Sequence, residues 1–96
     1  SNGSVIVLNI KNTDYSMYEI SKIIESNNAK ILSSYITSTK EMQYIDVTLK
    51  LNTMETNSII KDLKRFDYNI VASYEQKDNQ DDFIDRYESL MRFINT

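Results

Sequence analysis

Residues 42–51 read M-Q-Y-I-D-V-T-L-K-L, the most regular alternation of apolar and polar side chains in this sequence. Successive side chains of a strand point to opposite sides, so the apolar positions share one face and the polar positions share the other. The apolar face carries Ile45, Val47, Leu49 and Leu51, and the other face carries Tyr44, Asp46, Thr48 and Lys50. The stretch therefore predicts a strand in an antiparallel sheet with one face buried and one more open.

Three other stretches predict strands on either side of this one. Residues 4–10 are short, β-branched and almost continuously apolar, which is typical of a central strand. Residues 29–39 are rich in Ile, Ser, Thr and Tyr, and residues 68–74 form a fourth strand. The pair Lys40-Glu41 is predicted to be the hairpin turn that leads into residues 42–51.

Two amphipathic helices are predicted between the strands, since apolar residues recur there at helical spacing. The first stripe consists of Met17, Ile20, Ile23 and Ile24, and the second consists of Ile59, Ile60, Leu63 and Phe66. Asp14 or Ser16 is expected to cap the first helix, and Thr53 or Thr56 the second. Asn27-Asn28 is expected to end the first helix, because Asn tolerates the left-handed conformation common at helix C-termini.

The end of the sequence contains a third stripe at helical spacing. It consists of Phe83, Ile84, Tyr87, Leu90, Met91 and Ile94. Three acids near its start, Asp81, Asp82 and Asp85, suit the positive end of a helix dipole, and we interpret them as a solvated first turn rather than a catalytic or metal cluster. An apolar stripe of this size needs cover, so we expect these six residues to form an interface with the chain's own sheet, a second copy or a missing part of the parent protein.

The order of these elements predicts an α+β fold. A β-α-β-β-α-β order with right-handed crossovers indicates a ferredoxin-like sandwich, in which a four-stranded antiparallel sheet carries two helices on one face. The predicted organisation is a domain over residues 4–75, a polar linker over 76–80 and an amphipathic helix over 81–95. Residues 1–3, Ser-Asn-Gly, resemble the remnant of a cleaved expression tag, and we expect the domain to be excised from a longer protein.

Composition excludes several function classes. The 96 residues contain no Cys and no His, which removes disulfides, thiolate nucleophiles, imidazole bases and most zinc sites. The net charge of −3 argues against a nucleic-acid partner. The sequence contains no apolar stretch of 18 residues, the length that would predict a membrane span. We therefore expect no membrane partner and a cytoplasmic parent protein. With no nucleophile–base pair or metal set to name, we predict neither an enzyme nor a bound cofactor.

The first strand, loop and helix resemble an ACT domain, a small-molecule-sensing module of amino-acid metabolism. The resemblance lies in V-I-V-L-N-I-K-N-T-D-Y-S-M-Y-E-I-S-K-I-I-E-S-N-N-A-K-I, residues 5–31. More narrowly, A-K-I-L-S-S-Y-I-T-S and D-R-Y-E-S-L-M-R-F-I-N resemble the C-terminal ACT-like region of bacterial tandem-CBS proteins of the acetoin-utilisation type. This resemblance extends over residues 4–95.

The resemblance implies regulation: a homodimer that binds an amino-acid-type ligand, or that relays the ligand state of a CBS pair in the parent chain. The implied ligand loop comprises Asn12, Thr13, Asp14, Tyr15, Ser16 and Met17. In it, the N-terminus of the helix receives a carboxylate and Asp14 receives an ammonium group. Helix capping alone is the other interpretation of Asp14 and Ser16, and a pure oligomerisation module without a ligand is the alternative function.

Overall fold

The computed structural model describes residues 2–38, 40–77 and 91–92. Its strands are Gly3–Lys11 (β1), Ile31–Ser38 (β2), Tyr44–Leu51 (β3) and Asn69–Gln76 (β4). Its helices are Met17–Ser26 (α1) and Asn57–Arg65 (α2), and one 3-10 turn, Asn12–Asp14, lies between β1 and α1. The predicted α+β class and order of elements are confirmed over this part of the chain.

The four strands form one antiparallel sheet in the order β2-β3-β1-β4. The two central strands, β1 and β3, pair along all of β3, from Ser4 opposite Leu51 to Lys11 opposite Tyr44. Burial along β3 alternates residue by residue, as predicted from its sequence, and the prediction of a central position for the first strand is also confirmed.

One apolar core joins a face of the sheet to both helices. Ile6 and Leu8 of β1 are fully buried in it, together with Val47, Leu49 and Leu51 of β3. The helices contribute Ile20, Ile23 and Ile24 from α1 and Ile59 and Leu63 from α2. Each fully buried side chain of this size stabilises the fold by about 1.5–3 kcal/mol relative to an exposed one.

The ends of α1 follow the sequence closely. Ser16 is the N-cap, and its hydroxyl accepts a hydrogen bond from the Glu19 N–H at 3.2 Å. Asn27 is the C-cap, and Asn28 takes a φ of 60° in the left-handed region. Both ends therefore use polar residues that satisfy backbone groups or tolerate the required backbone angle.

The two ends of α2 follow the sequence less closely. Thr56 occupies the N-cap, as one of the two predicted residues, but its side chain makes no capping bond, and the Thr53 hydroxyl accepts from the Glu55 N–H at 3.1 Å, ahead of the helix. Phe66, predicted to complete the buried stripe, is the C-cap and is 51% exposed. The helix ends one residue before Phe66, so the periodicity that would place this ring inside no longer applies.

The connection from β2 to β3 is longer than the predicted two-residue turn. β2 ends at Ser38 and β3 begins at Tyr44, whose N–H donates to the Glu41 carbonyl at 2.9 Å. A two-residue hairpin favours residues with positive φ, usually Gly, and the pair Lys40-Glu41 lacks one. The chain uses a wider connection instead.

Gly3 begins β1 and pairs with Gln76, the last residue of β4. A Cβ atom at Gly3 would collide with the Leu51 carbonyl oxygen, so the close approach of β1 to β3 at this point requires glycine.

Most of the predicted C-terminal helix lies outside the described residues. Met91 and Arg92 are described: both are helical, Met91 is half-buried and Arg92 is exposed. Phe83, Ile84, Tyr87, Leu90 and Ile94 lie outside the described part of the chain, as do residues 78–80 of the predicted linker.

Candidate functional site

The predicted ligand loop connects β1 to α1 and is held against the β2–β3 connection. The Asn12 N–H donates to the Gln43 carbonyl at 2.7 Å, which fixes the start of the 3-10 turn. Asn12, Thr13 and Asp14 are exposed, whereas Tyr15, Ser16 and Met17 are half-buried. The six predicted residues therefore divide into an exposed turn and a segment that enters α1.

Ser16 and Asp14 have different surroundings within this loop. The Ser16 hydroxyl is used as a helix cap, so for this residue the geometry favours the capping interpretation. Asp14 ends the 3-10 turn, two residues before the N-cap of α1. Its side chain lines a surface cleft of about 480 Å³, which Ser16 does not line.

We call this cleft the acidic cleft. Its charged lining residues are Lys11, Asp14, Glu19 and Asp67, and its aromatic lining residues are Tyr44, Phe66 and Tyr68. Asn9, Ile10 and Asn69 complete it. Because β1 and β4 are antiparallel neighbours, the end of β1 lies beside the start of β4, and the α2–β4 connection comes up against the β1–α1 loop.

Tyr68 anchors one wall of the acidic cleft. Its ring belongs to the apolar core, while its hydroxyl donates a hydrogen bond to Glu19 Oε1 at 2.7 Å. Burial raises the pKa of the Tyr68 hydroxyl well above its usual value, and the hydrogen bond to Glu19 and the charges of Glu19 and Asp14 raise it further. The phenol therefore stays protonated and keeps Glu19 in place at the cleft.

The remaining charges of the acidic cleft favour a cation. Three carboxylates face one ammonium group, that of Lys11, which leaves a formal charge of −2 at neutral pH. Among the described residues, neither Asp14 nor Asp67 makes a side-chain hydrogen bond or ion pair. Their carboxylates are thus available to a molecule that enters from solvent.

A second groove lies between the outer surfaces of α1 and α2. Its lining mixes both signs of charge, since Lys22 and Arg65 accompany Glu19 and Asp62. Asp62 is already engaged: it accepts from Asn27 Nδ2 at 3.0 Å and pairs with Arg65 at 3.4 Å. The Asn27–Asp62 hydrogen bond joins the end of α1 to α2, so we assign the groove a structural role.

Both edge strands of the sheet are also exposed, since seven of the eight residues are exposed in β4 as well as in β2. In β2, Ile31 at the start is half-buried and the other seven residues are exposed. Three of these are large and apolar: Leu32, Tyr35 and Ile36 are 52%, 63% and 49% exposed. An edge strand of this kind presents unpaired backbone N–H and C=O groups beside apolar side chains.

Sequence reasoning found Asp14 but missed the rest of the acidic cleft. Lys11, Glu19 and Asp67 were not predicted as site residues, and Tyr68 was predicted as the first residue of the fourth strand. The strand order contained a usable signal, because an antiparallel β1–β4 pair places the residues after α2 beside the β1–α1 loop.

In the described part of the chain, no group of three or more Asp or Glu side chains is arranged to hold a metal ion. Over the same residues, no helix is both long and apolar enough to cross a membrane.

Comparison of the chain with models of protein families, with curated proteins and with solved structures found no match.

Proposed function

We propose that this chain is a non-enzymatic regulatory module of the ACT-like type with a ferredoxin-like fold, which forms homodimers and senses a small ligand. The antiparallel order β2-β3-β1-β4 with α1 and α2 sharing one core supports the fold assignment. The proposed parent is a bacterial cytoplasmic protein of the acetoin-utilisation type whose tandem CBS pair communicates with this domain.

The exposure of β2 is the observation that carries the dimer. Residues 33–38 pair with β3 in regular register and contain no charge, proline or bulge, the features that normally protect an edge strand. Antiparallel pairing of two β2 strands about a two-fold axis satisfies the free backbone groups of both copies. It also covers Tyr35 and Ile36, which the monomer leaves open.

The opposite edge is less suited to such pairing. Each edge strand has a register shift near its start, between Ile31 and Ser33 in β2 and between Ile70 and Ala72 in β4, but β4 also carries the charge of Glu75. A charge on an edge strand opposes its pairing with another chain. We therefore assign the dimer contact to β2 rather than to β4.

The dimer is tested by placing one lysine on each edge. We expect Ile36→Lys to convert a dimer to a monomer in sedimentation equilibrium, because two lysines would meet near the two-fold axis. Val71→Lys is the matched control, since Val71 is 57% exposed on β4. A wild-type chain that is monomeric at high concentration, or a dimer that only Val71→Lys disrupts, would exclude the β2 contact.

The ligand half of the proposal depends on Asp14 in the β1–α1 loop. A ligand that binds only the folded dimer raises its free energy of unfolding by RT ln(1 + [L]/Kd), and the melting temperature rises as a result. We expect a thermal-shift panel of amino acids and related amines to give a rise that Asp14→Ala abolishes. A panel in which nothing raises the melting temperature would leave no support for sensing.

A pure oligomerisation module is the second candidate, favoured by the use of the Ser16 hydroxyl as a cap rather than as a ligand donor. An oligomerisation module could also use the C-terminal apolar stripe, instead of β2, as the contact between the two copies. Deletion of residues 80–96 separates the two contacts: a truncated chain that stays dimeric supports β2, and one that becomes monomeric supports the stripe.

A further inference from the structure

The helices cover one face of the sheet, and we call the other one the open face. The pairing register divides its central part into an apolar half and a polar half. The apolar half lies beside the end of β4 and carries Val5, Val7, Ala72 and Tyr74. In the polar half, Asn9 lies between Asp46 and Asn69, and its side-chain amide donates to the Asp46 carboxylate at 2.9 Å. The apolar half is therefore next to the point where the chain leaves the sheet.

Burial within the apolar half is uneven. Tyr74 is 56% exposed and Ala72 is exposed, whereas Val5 is 6% exposed. Val5 is not a member of the core beneath the helices, so the helices do not account for its burial. Lys50 and Tyr74 flank it on the open face. An apolar side chain that is closed off on the face without helices indicates that this half is a packing surface.

The C-terminal stripe, the six apolar residues predicted between Phe83 and Ile94, supplies the second observation. Met91 belongs to the stripe and is helical and half-buried, while its neighbour Arg92 is helical and exposed. Neighbouring residues of a helix point about 100° apart, so the two side chains lie on different sides of the helix. At these two residues the stripe side is the more buried one, which is the pattern of a helix that packs through its apolar stripe.

The length of chain after β4 fits the open face. β4 ends at Gln76, and residues 77–80 span up to about 13 Å when extended, which is enough to reverse the chain onto this face. Residues 81–95 are about 22 Å long as a helix, and an eight-residue strand is about 26 Å long. A helix that starts at the end of β4 and runs antiparallel to it therefore matches the length of that strand.

We propose that residues 81–95 pack on the apolar half of the open face of their own chain, as a third layer over β1 and β4. The stripe covers Val7, Ala72 and Tyr74, and Arg92 faces solvent. β2 is separated from β1 by β3, so its edge stays free for a second copy. This contact goes beyond the proposed function, because it assigns the stripe to the interior of one chain rather than to a partner.

The test is disulfide formation, for which the chain is a clean background because it contains no Cys. Ala72→Cys is combined with Tyr87→Cys on the stripe, and separately with Ser89→Cys as the matched control. Ser89 is two residues from Tyr87 but about 160° away around a helix. We expect the Tyr87 pair to close within one chain about tenfold faster than the Ser89 pair, because a disulfide requires Cα atoms within about 7 Å.

Mass spectrometry and non-reducing gels separate the outcomes. A disulfide within one chain that forms preferentially in the Tyr87 pair supports the contact. A Tyr87 pair that links two chains would place the stripe on a second copy, and equal rates for the two pairs would place it away from the open face. Either of these results overturns the proposal.

NMR of the unmodified chain keeps the test decisive if a Cys variant fails to fold. We expect nuclear Overhauser contacts between the methyl groups of Leu90 and Val7, and a folded chain with no such contact from the stripe to β1 or β4 overturns the proposal. Repeating the disulfide experiment in Ile36→Lys separates it from the β2 dimer. An equal rate within one chain supports the contact even where the β2 dimer fails, and a disulfide that is lost on monomerisation would show that the contact joins two copies.

Discussion

β2 and β3 are adjacent strands of eight residues each, yet their side chains differ in burial. β3 alternates between buried and half-buried positions, while seven of the eight β2 residues are exposed. The two differ in position rather than in strand-forming residues, because β3 lies between two strands over the helices and β2 has a neighbour on one side only. The comparison teaches that β3 holds the domain together and that β2 is available to something outside it.

The largest contrast is expected between core and edge truncations. Leu49→Ala should lower the free energy of unfolding by about 2–5 kcal/mol, because Leu49 is fully buried and a cavity would remain. Ile36→Ala should cost less than about 1 kcal/mol at low protein concentration, since Ile36 is 49% exposed. Urea denaturation measures both, and equal losses would break the comparison.

A smaller effect is expected at the close approach between central strands. Gly3→Ala should lower the free energy of unfolding by about 1–3 kcal/mol, because the new Cβ would collide with the Leu51 carbonyl. Ser34→Ala on β2, at an exposed position, should change it by about 0.5 kcal/mol at most. If Gly3→Ala were neutral, the two central strands would be less tightly fixed at this end than the structure indicates.

The smallest effect concerns two tyrosines at alkaline pH. The raised pKa of Tyr68 favours its protonated form in the folded state, so its contribution to stability is complete below about pH 10 and is lost as pH rises beyond the unfolded pKa. Tyr68→Phe should reduce the loss of stability at alkaline pH. It should also lower the free energy of unfolding at neutral pH by about 0.5–1.5 kcal/mol, because the hydrogen bond to Glu19 is lost.

Tyr35→Phe is the control for that experiment, since Tyr35 is 63% exposed on β2. Denaturation of both variants between pH 8 and pH 11 gives the comparison. A Tyr68→Phe chain with the same alkaline loss as the wild type would show that another group is responsible.

The sequence alone predicted the elements and most of the core, because periodicity at residues 17–24 and 42–51 reflects burial on one side. It placed Phe66 wrongly, since the end of α2 depends on where the backbone turns and not on spacing alone. It also left the exposure of β2 unpredicted. The composition of β2 suits any strand, and only the strand order makes it an edge.

The candidate site was predictable only in part for the same reason. Asp14 and Ser16 lie in one loop, so the two interpretations of these residues, helix capping and ligand contact, could be stated from the sequence. Asp67 and Tyr68 reach the cleft through the β1–β4 pairing, at a separation of more than fifty residues from Asp14. Non-local contacts of this kind appear only once the topology is known.

The most direct test of the β2 assignment is amide hydrogen exchange measured at several protein concentrations. Residues 33–38 should contain amides that exchange rapidly in dilute solution and become protected as the concentration rises, while β3 amides stay protected throughout. Exchange of the β2 amides that is independent of concentration, in a chain that nevertheless dimerises, would contradict the account.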